Sequence, residues 1–207
     1  MPRLHDNASS GNAYKVRLLL TQLGRAFERI EYDIDHGATR TPEFIRKTNP
    51  NGRIPVLELD DGRCLPESNA ILWYLAEGTP FLPGAGDDQG RWRRAQVLHW
   101  MFFEQYSHEP NIATVRFWIM HKVEMTPDRV AAAPGKRKGG IAALEVMEQH
   151  LRARSFFVGD SYSIADIALY AYTHVAHEGG FDLAPFPAVR AWLARVAAQP
   201  GHIAITA

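Results

Sequence analysis

Three hydrogen-bonding side chains, Ser9, Ser10 and Asn12, stand just ahead of an apolar run in which Val16, Leu18, Leu19, Leu20 and Leu23 follow Tyr14 without a helix breaker. Residues of these types before such a run cap a helix, their side-chain oxygens accepting from first-turn amides. The same groups, backed by the positive end of the helix dipole, can also serve an anion. A second start of this kind is Glu67-Ser68, followed by Ala70, Ile71, Leu72 and Leu75. Acid and serine both favour a first turn, and a serine with the free amides of a helix N-terminus forms an anion site. Between the two starts, Asn49-Pro50-Asn51-Gly52 is a strong turn signal, followed by Arg53-Ile54-Pro55. Cys64 is the only cysteine. It can form no internal disulfide and no Cys-x-x-Cys centre, so thiol chemistry must use a thiol brought from outside. His108-Glu109 has no accompanying His-x3-His pair, and no metal is expected.

These turns need elements to hold them, and 207 residues are enough to build those elements. A compact fold of this size buries roughly 70% of its unfolded surface, so it needs no staples. With 46% hydrophobic and 22% charged residues, the composition is that of an ordinary globular protein. No stretch approaches the roughly 18 apolar residues of a membrane span, and the N-terminus carries no secretory pattern, so no membrane association and a cytoplasmic location are expected. Lys plus Arg equals Asp plus Glu at 23 each, so no global positive field draws nucleic acid. The one basic cluster, Lys136-Arg137-Lys138 beside Gly139 and Gly140, reads as a solvated loop.

Along the chain, Leu4 to Asp6 begins as a strand, Tyr14 to Leu23 is helical with Gly24 as its stop, and Phe27 to Ile34 alternates as a strand does. A short amphipathic piece covers Thr41 to Lys47. Ile54 to Leu59 and Arg63 to Leu65 flank Asp60-Asp61-Gly62, which is hairpin chemistry, and Glu67 to Glu77 returns to helical spacing. The order βαβ then ββα is the thioredoxin-like arrangement of a small mixed sheet with helices. The glycine, proline and aspartate of 79–90 predict a linker between a first domain at 1–78 and a second at 91–207. The second domain reads as all-α, with helices at Trp92 to Lys122, Ile141 to Arg154, Ile164 to Val175 and Ala188 to Ala198. Phe156-Phe157-Val158 reads as a connector.

In order and spacing, four segments resemble the cytosolic glutathione transferase family. Ala8 to Arg17 resembles the family's turn between its first strand and first helix, with Ser10 in the place of the theta-like activating serine. Asn12 stands where nu-like bacterial members carry asparagine, although their preceding proline is absent here. The physical need is clear: a free thiol of pKa about 8.5 is only about 3% thiolate at pH 7, and a downward shift of two units makes it about three-quarters thiolate. Ser10, Asn12 and Ser9 are all candidate donors to the sulfur. Capping is the bland alternative for the same residues, and Tyr14, inside the helical run, reads as a packed aromatic. Asn49 to Leu57 resembles the family's Asn-Pro-x-Gly-x-x-Pro-x-Leu sequence, which implies a cis peptide at Pro55, strand-like pairing of the Ile54 backbone with glutathione, and Arg53 facing the glycyl carboxylate. Leu65 to Leu75 resembles Glu/Gln-Ser-x-Ala-Ile, which implies that Ser68 binds the γ-glutamyl carboxylate and Glu67 its ammonium. Phe157 to Ala168 resembles the family's helical-domain signature, a folding element: Ser163 and Asp166 have capping-box spacing, and Tyr162 with Ile167 that of a hydrophobic staple.

The resemblance implies a thioredoxin-like N-terminal domain joined to an all-α C-terminal domain, with glutathione as co-substrate and no cofactor. It also implies a homodimer pairing the glutathione domain of one subunit with the helical domain of the other. Tyr106 and Arg116, on the long helix, are candidates for the second-substrate site. The expected activity is conjugation of glutathione thiolate to a small apolar electrophile. Two alternatives remain open: glutathione-dependent reduction of peroxides or disulfides, and a noncatalytic protein-interaction module.

Overall fold

A computed structural model describes all residues 1–207, which divide into two compact units, Met1–Thr79 with Pro200–Ala207, and Pro80–Gln199. The boundaries differ at two places from the spacing-based ones. Residues 200–207 return to the first unit, and all of the stretch expected as linker except Thr79 lies within the second, whose first helix already starts at Asp88.

The first unit is a four-stranded sheet with three helices. Its strands are β1 (Arg3–Asp6), β2 (Glu28–Glu31), β3 (Val56–Glu58) and β4 (Cys64–Pro66), in the order β2-β1-β3-β4. β1 runs parallel to β2 and antiparallel to β3, and β3 and β4 form the hairpin that Asp60-Asp61-Gly62 predicts, with Gly62 at φ +83° closing the turn. The helices are α1 (Gly11–Gln22), α2 (Pro42–Lys47) and α3 (Ser68–Ala76). Alternation along β1 sends neighbouring side chains to opposite faces. Asp6 meets Arg17 of α1, while His5 meets the Phe44 ring of α2, so the two helices cover opposite faces of the sheet. Residues 200–207 are tied to α1, where Tyr14 is fully buried and donates its hydroxyl to the Ile203 carbonyl at 2.7 Å.

The second unit is helical: α4 (Asp88–Phe103), α5 (Glu109–Met120), α6 (Pro127–Leu151), α7 (Ile164–Thr173) and α8 (Pro187–Ala197). The long pattern from Trp92 is therefore two α-helices joined by a π-helical turn over Glu104–His108. Helix α6 begins well before Ile141 and runs through Pro134, and Lys136-Arg137-Lys138 is helical, not a solvated loop. The glycines that suggested a loop answer to packing. A Cβ on Gly139 would meet the Asn111 side chain at 2.8 Å, and one on Gly140 the Phe181 ring at 2.4 Å. Lys136 donates to the Pro110 carbonyl at 2.8 Å and Arg137 to the Gly179 carbonyl at 3.2 Å. The core gathers Trp100, Phe157, Tyr170 and Trp192, with Phe157 ring centroids 4.6 Å from Trp100 and 5.1 Å from Trp192. The only strand-like feature here is a single bridge between Val158 and Ser161. No helix is long and apolar enough to cross a membrane.

Candidate functional site

Strand register brings the three chemistry-bearing segments of the first unit to one end of its sheet. His5 pairs with Val56, so Pro55 and Ile54 run beside Asp6 and Asn7, where β1 gives way to the Ser9-Ser10 turn. Val56 also pairs with Pro66, so Glu67 and Ser68 emerge beside the same two residues. Segments some sixty residues apart thus converge through pairing alone, as strand ends of an α/β sheet do where ligands bind.

The first turn of α1 is built by local hydrogen bonds. Ser10 is the N-cap, in extended conformation at φ −74° and ψ 117°, and its Oγ accepts from the Ala13 amide at 3.2 Å. Capping uses a lone pair only, and a hydroxyl retains one proton to donate. Ser9 differs, since its Oγ donates to Asn7 Oδ1 at 2.7 Å and its amide to the same oxygen at 3.1 Å. The Ser9 proton is thereby engaged within the turn. Asn12 Oδ1 accepts from Ser68 Oγ at 3.3 Å, joining α1 to the start of α3. Lys15, on the same face of α1 and 0% exposed, donates from Nζ to that Ser68 oxygen at 3.3 Å. A buried cation therefore faces the helix start suited to an anion, and Lys15 was missed in the sequence. Its signal was available: a lysine inside an otherwise apolar run demands a polar partner in the interior.

Glu67 is the N-cap of α3, exposed, and at φ +69°, where residues other than glycine are uncommon. Strain of this kind costs on the order of 1 to 3 kcal/mol and gathers at ligand sites. Ser68 is only 5% exposed and presents its hydroxyl at the first turn, whose amides have no intrahelical acceptor. The Ile54-Pro55 peptide is cis, with Pro55 buried and Ile54 half-buried. Arg53 is exposed, and the buried Asn49 holds its backbone, donating Nδ2 to the Arg53 carbonyl at 2.8 Å while Oδ1 accepts from the Asn51 amide at 3.0 Å. Gly52, at φ +63°, is required there, because a Cβ would meet the Thr39 carbonyl at 3.0 Å.

The second unit places its two candidates differently. Tyr106 is 87% exposed, in the π turn. Arg116 is 5% exposed and donates from Nε to Glu178 Oε2 at 2.6 Å. Its side chain is thus held in an ion pair with Glu178, whose own side chain is partly exposed. The capping box at α7 is complete. Asp166 accepts at Oδ2 from the Ser163 amide and hydroxyl at 3.0 and 3.2 Å, and at Oδ1 from the Phe157 amide and Trp192 Nε1 at 3.1 and 2.9 Å. Tyr162 packs against Phe81 and Phe156.

Two family models match the chain: "Glutathione S-transferase, N-terminal domain" over residues 3–77 and "Glutathione S-transferase, C-terminal domain" over 118–200. The chain is 49% identical to a crystal structure of glutathione S-transferase from Pseudomonas fluorescens, with 99% of this chain and 98% of that one covered at a TM-score of 0.92. It is 30% identical to "Disulfide-bond oxidoreductase YfcG" of Escherichia coli, covering 93% of this chain and 89% of that protein. A structure of Ure2p in complex with glutathione is 26% identical, covering 97% of this chain and 90% of that one at a TM-score of 0.83.

Proposed function

The chain belongs to the glutathione S-transferase family, and from that membership we propose that it binds glutathione where β1 and β4 end and β3 begins and activates the thiol for attack on a small apolar electrophile. The observation that carries this reading is the bond between Asn12 and Ser68, which sets the candidate thiol-activating turn and the candidate carboxylate-binding turn within reach of one small peptide. In the proposed mode Ser68, the α3 amides and nearby Lys15 receive the γ-glutamyl carboxylate, Glu67 its ammonium and Arg53 the glycyl carboxylate. The Ile54 backbone pairs with the cysteinyl part. The sulfur then lies at the start of α1, where the helix dipole and a hydroxyl or amide proton favour the thiolate. Serine attacks nothing; glutathione supplies the nucleophile.

Ser10 is the first choice as donor to the sulfur and Asn12 the alternative. A hydrogen bond to a charged group contributes about 1.5 to 3 kcal/mol, so removing the true donor raises the bound thiol's pKa by about one to two units. Thiolate absorbance of bound glutathione against pH in the parent, Ser10→Ala and Asn12→Ala measures this directly. One variant is expected to shift and the other to titrate near the parent. Two unshifted variants would return thiol activation to backbone amides and the helix dipole alone.

The likeness to the disulfide-bond oxidoreductase favours a second reading. Glutathione thiolate attacks one sulfur of a disulfide, a new S–S bond forms, and the other sulfur leaves as thiolate, so the protein needs no cysteine at its site. Rates with glutathione against halides, epoxides and enals on one side and mixed disulfides and hydroperoxides on the other separate the two. Residence in the cytoplasm belongs to the same proposal, since a reduced thiol pool is kept there.

A homodimer is also proposed. Support comes from large apolar side chains exposed along the helix that opens the second unit: Trp92, Leu98, Phe102 and, in the π turn, Tyr106. Exposed apolar area of this extent marks an interaction face. Light scattering at micromolar protein is expected to give twice the chain mass of 23.3 kDa, and a monomer there removes the dimer without touching the site.

A further inference from the structure

The turn that carries Ser9 and Ser10 is held by charged groups to which thiol activation assigns no task. Arg17, fully buried on α1, donates from Nη1 to Asp6 Oδ1 and Oδ2 at 2.5 and 2.7 Å and to the Asn7 carbonyl at 3.4 Å. The Asn7 carbonyl also accepts from the Ser10 amide at 3.0 Å. From Nη2, Arg17 donates to the Ala8 carbonyl at 3.1 Å and to the Ile205 carbonyl at 2.5 Å. Ala8 is gripped from its other side as well, its amide donating to Glu31 Oε1 at 2.7 Å. Glu31 Oε2 accepts from Arg29 Nη2 at 3.2 Å, and Arg29 closes the ring with Nε 2.9 Å from Asp6 Oδ2 and Nη1 donating to the Ala207 carbonyl at 2.9 Å. The residue before Ser9 is thus fixed at its N–H and its C=O, and both arginines that take part also bind carbonyls of the 200–207 segment.

Such a network is a poor device for stability, because desolvating buried charges cancels most of their attraction. It is a good device for position. The forked guanidinium of Arg17 ties a carboxylate, two turn carbonyls and a distant chain segment in fixed geometry, which a single ammonium cannot do. A hydrogen bond to sulfur weakens steeply when its direction is lost, so the hydroxyl of Ser10 must be aimed before the ligand arrives. We propose that Arg17 is a positioning residue and that the Ile203–Ala207 segment acts through it as a clamp, so that activation of the glutathione thiol by the Ser10 turn depends on the far end of the chain. This rests on the glutathione reading above, and specifically on Ser10 as donor.

The test is the pH titration of bound glutathione thiolate, with KM for glutathione and the thermal midpoint, in the parent, Ser10→Ala, Arg17→Lys and a deletion of Ile205–Ala207. Lysine keeps the charge facing Asp6 but lacks the second nitrogen for Ala8 and Ile205. The deletion leaves Arg17, Asp6 and Ala8 in place and so reads the clamp even where Arg17→Lys fails to fold. Both changes are expected to raise the bound thiol's pKa by about one unit, leaving about tenfold less thiolate at a pH below both values, with KM little altered. A purely structural role lowers the thermal midpoint and leaves the titration at its parental pH. If Ser10→Ala shifts the titration and the folded variants do not, the clamp is overturned and the glutathione reading stands. If Ser10→Ala fails to shift it, the assignment of Ser10 falls and the clamp with it.

Discussion

Replacing Glu67 and Ser68 together with alanine is expected to abolish saturable glutathione binding. In the proposed mode these two side chains meet both charges of the γ-glutamyl end, and each lost charge-assisted hydrogen bond costs about 1.5 to 3 kcal/mol. Two such losses, about 3 to 6 kcal/mol together, weaken affinity by about one hundredfold to ten-thousandfold, enough to move a ligand bound at tens of micromolar to a Kd of several millimolar or weaker, beyond saturation at millimolar glutathione. The double change also removes the Ser68 hydroxyl that accepts from the fully buried Lys15 and donates to Asn12. Alanine at 67 keeps the positive φ of that position, so the helix start is not relaxed as glycine would relax it. Calorimetry with millimolar glutathione reads the result. Heat that saturates alike in parent and variant removes the assignment of these residues. No saturable heat in the parent removes the enzyme reading and leaves the noncatalytic module.

The second large effect concerns folding. Asp166 is fully buried and accepts four hydrogen bonds, from the Ser163 amide and hydroxyl, the Phe157 amide and the Trp192 indole. Asp166→Asn keeps the shape but turns an amide donor toward two of those donors, each of which then costs about 1 to 3 kcal/mol. A loss of about 2 to 5 kcal/mol lowers the melting temperature of a chain of this size by roughly 5 to 15 °C. Circular dichroism melts check it, and an unchanged midpoint refutes the hub role. A pH dependence accompanies the loss. Burial pushes the Asp166 carboxyl up from 3.8 to about 6, against the pull of its four donors. The folded state therefore holds this proton more tightly than the unfolded chain does. The contribution of the group to stability is greatest below about pH 4, declines by up to about 3 kcal/mol as pH rises to about 6, and is level above that. The parent's melting curve carries this component, and Asp166→Asn is expected to lack it.

Much of the first unit was legible in the residue order because its signals are local. Apolar spacing marked α1 and α3 and Asp60-Asp61-Gly62 marked the hairpin, and in the second unit Ser163 with Asp166 likewise marked the capping box that starts α7. Ser10, Asn12, Glu67 and Ser68 could be read as helix-start residues because cap chemistry depends on residues only a few positions apart, whereas Ile54 and Pro55 were singled out through the resemblance to the glutathione transferase family. Other features depend on what meets them from elsewhere in the chain. Glycine inside a pattern reads the same whether it bends a loop or admits a neighbour, and only the approach of Asn111 and Phe181 decides that Gly139 and Gly140 lie within α6. An arginine on an aromatic-rich helix gives no sign of which acid it will meet, and Glu178, sixty-two residues away, supplies the partner of Arg116. The same holds for Lys15 and Arg17. Their burial in an apolar run called for partners, but strand register and the return of residues 200–207 supplied Ser68 to the one and Asp6, Ala8 and Ile205 to the other. Period, caps and turns are properties of neighbouring residues and can be read from their order, whereas the partner of a buried charge is a property of packing and exists only once distant segments have met.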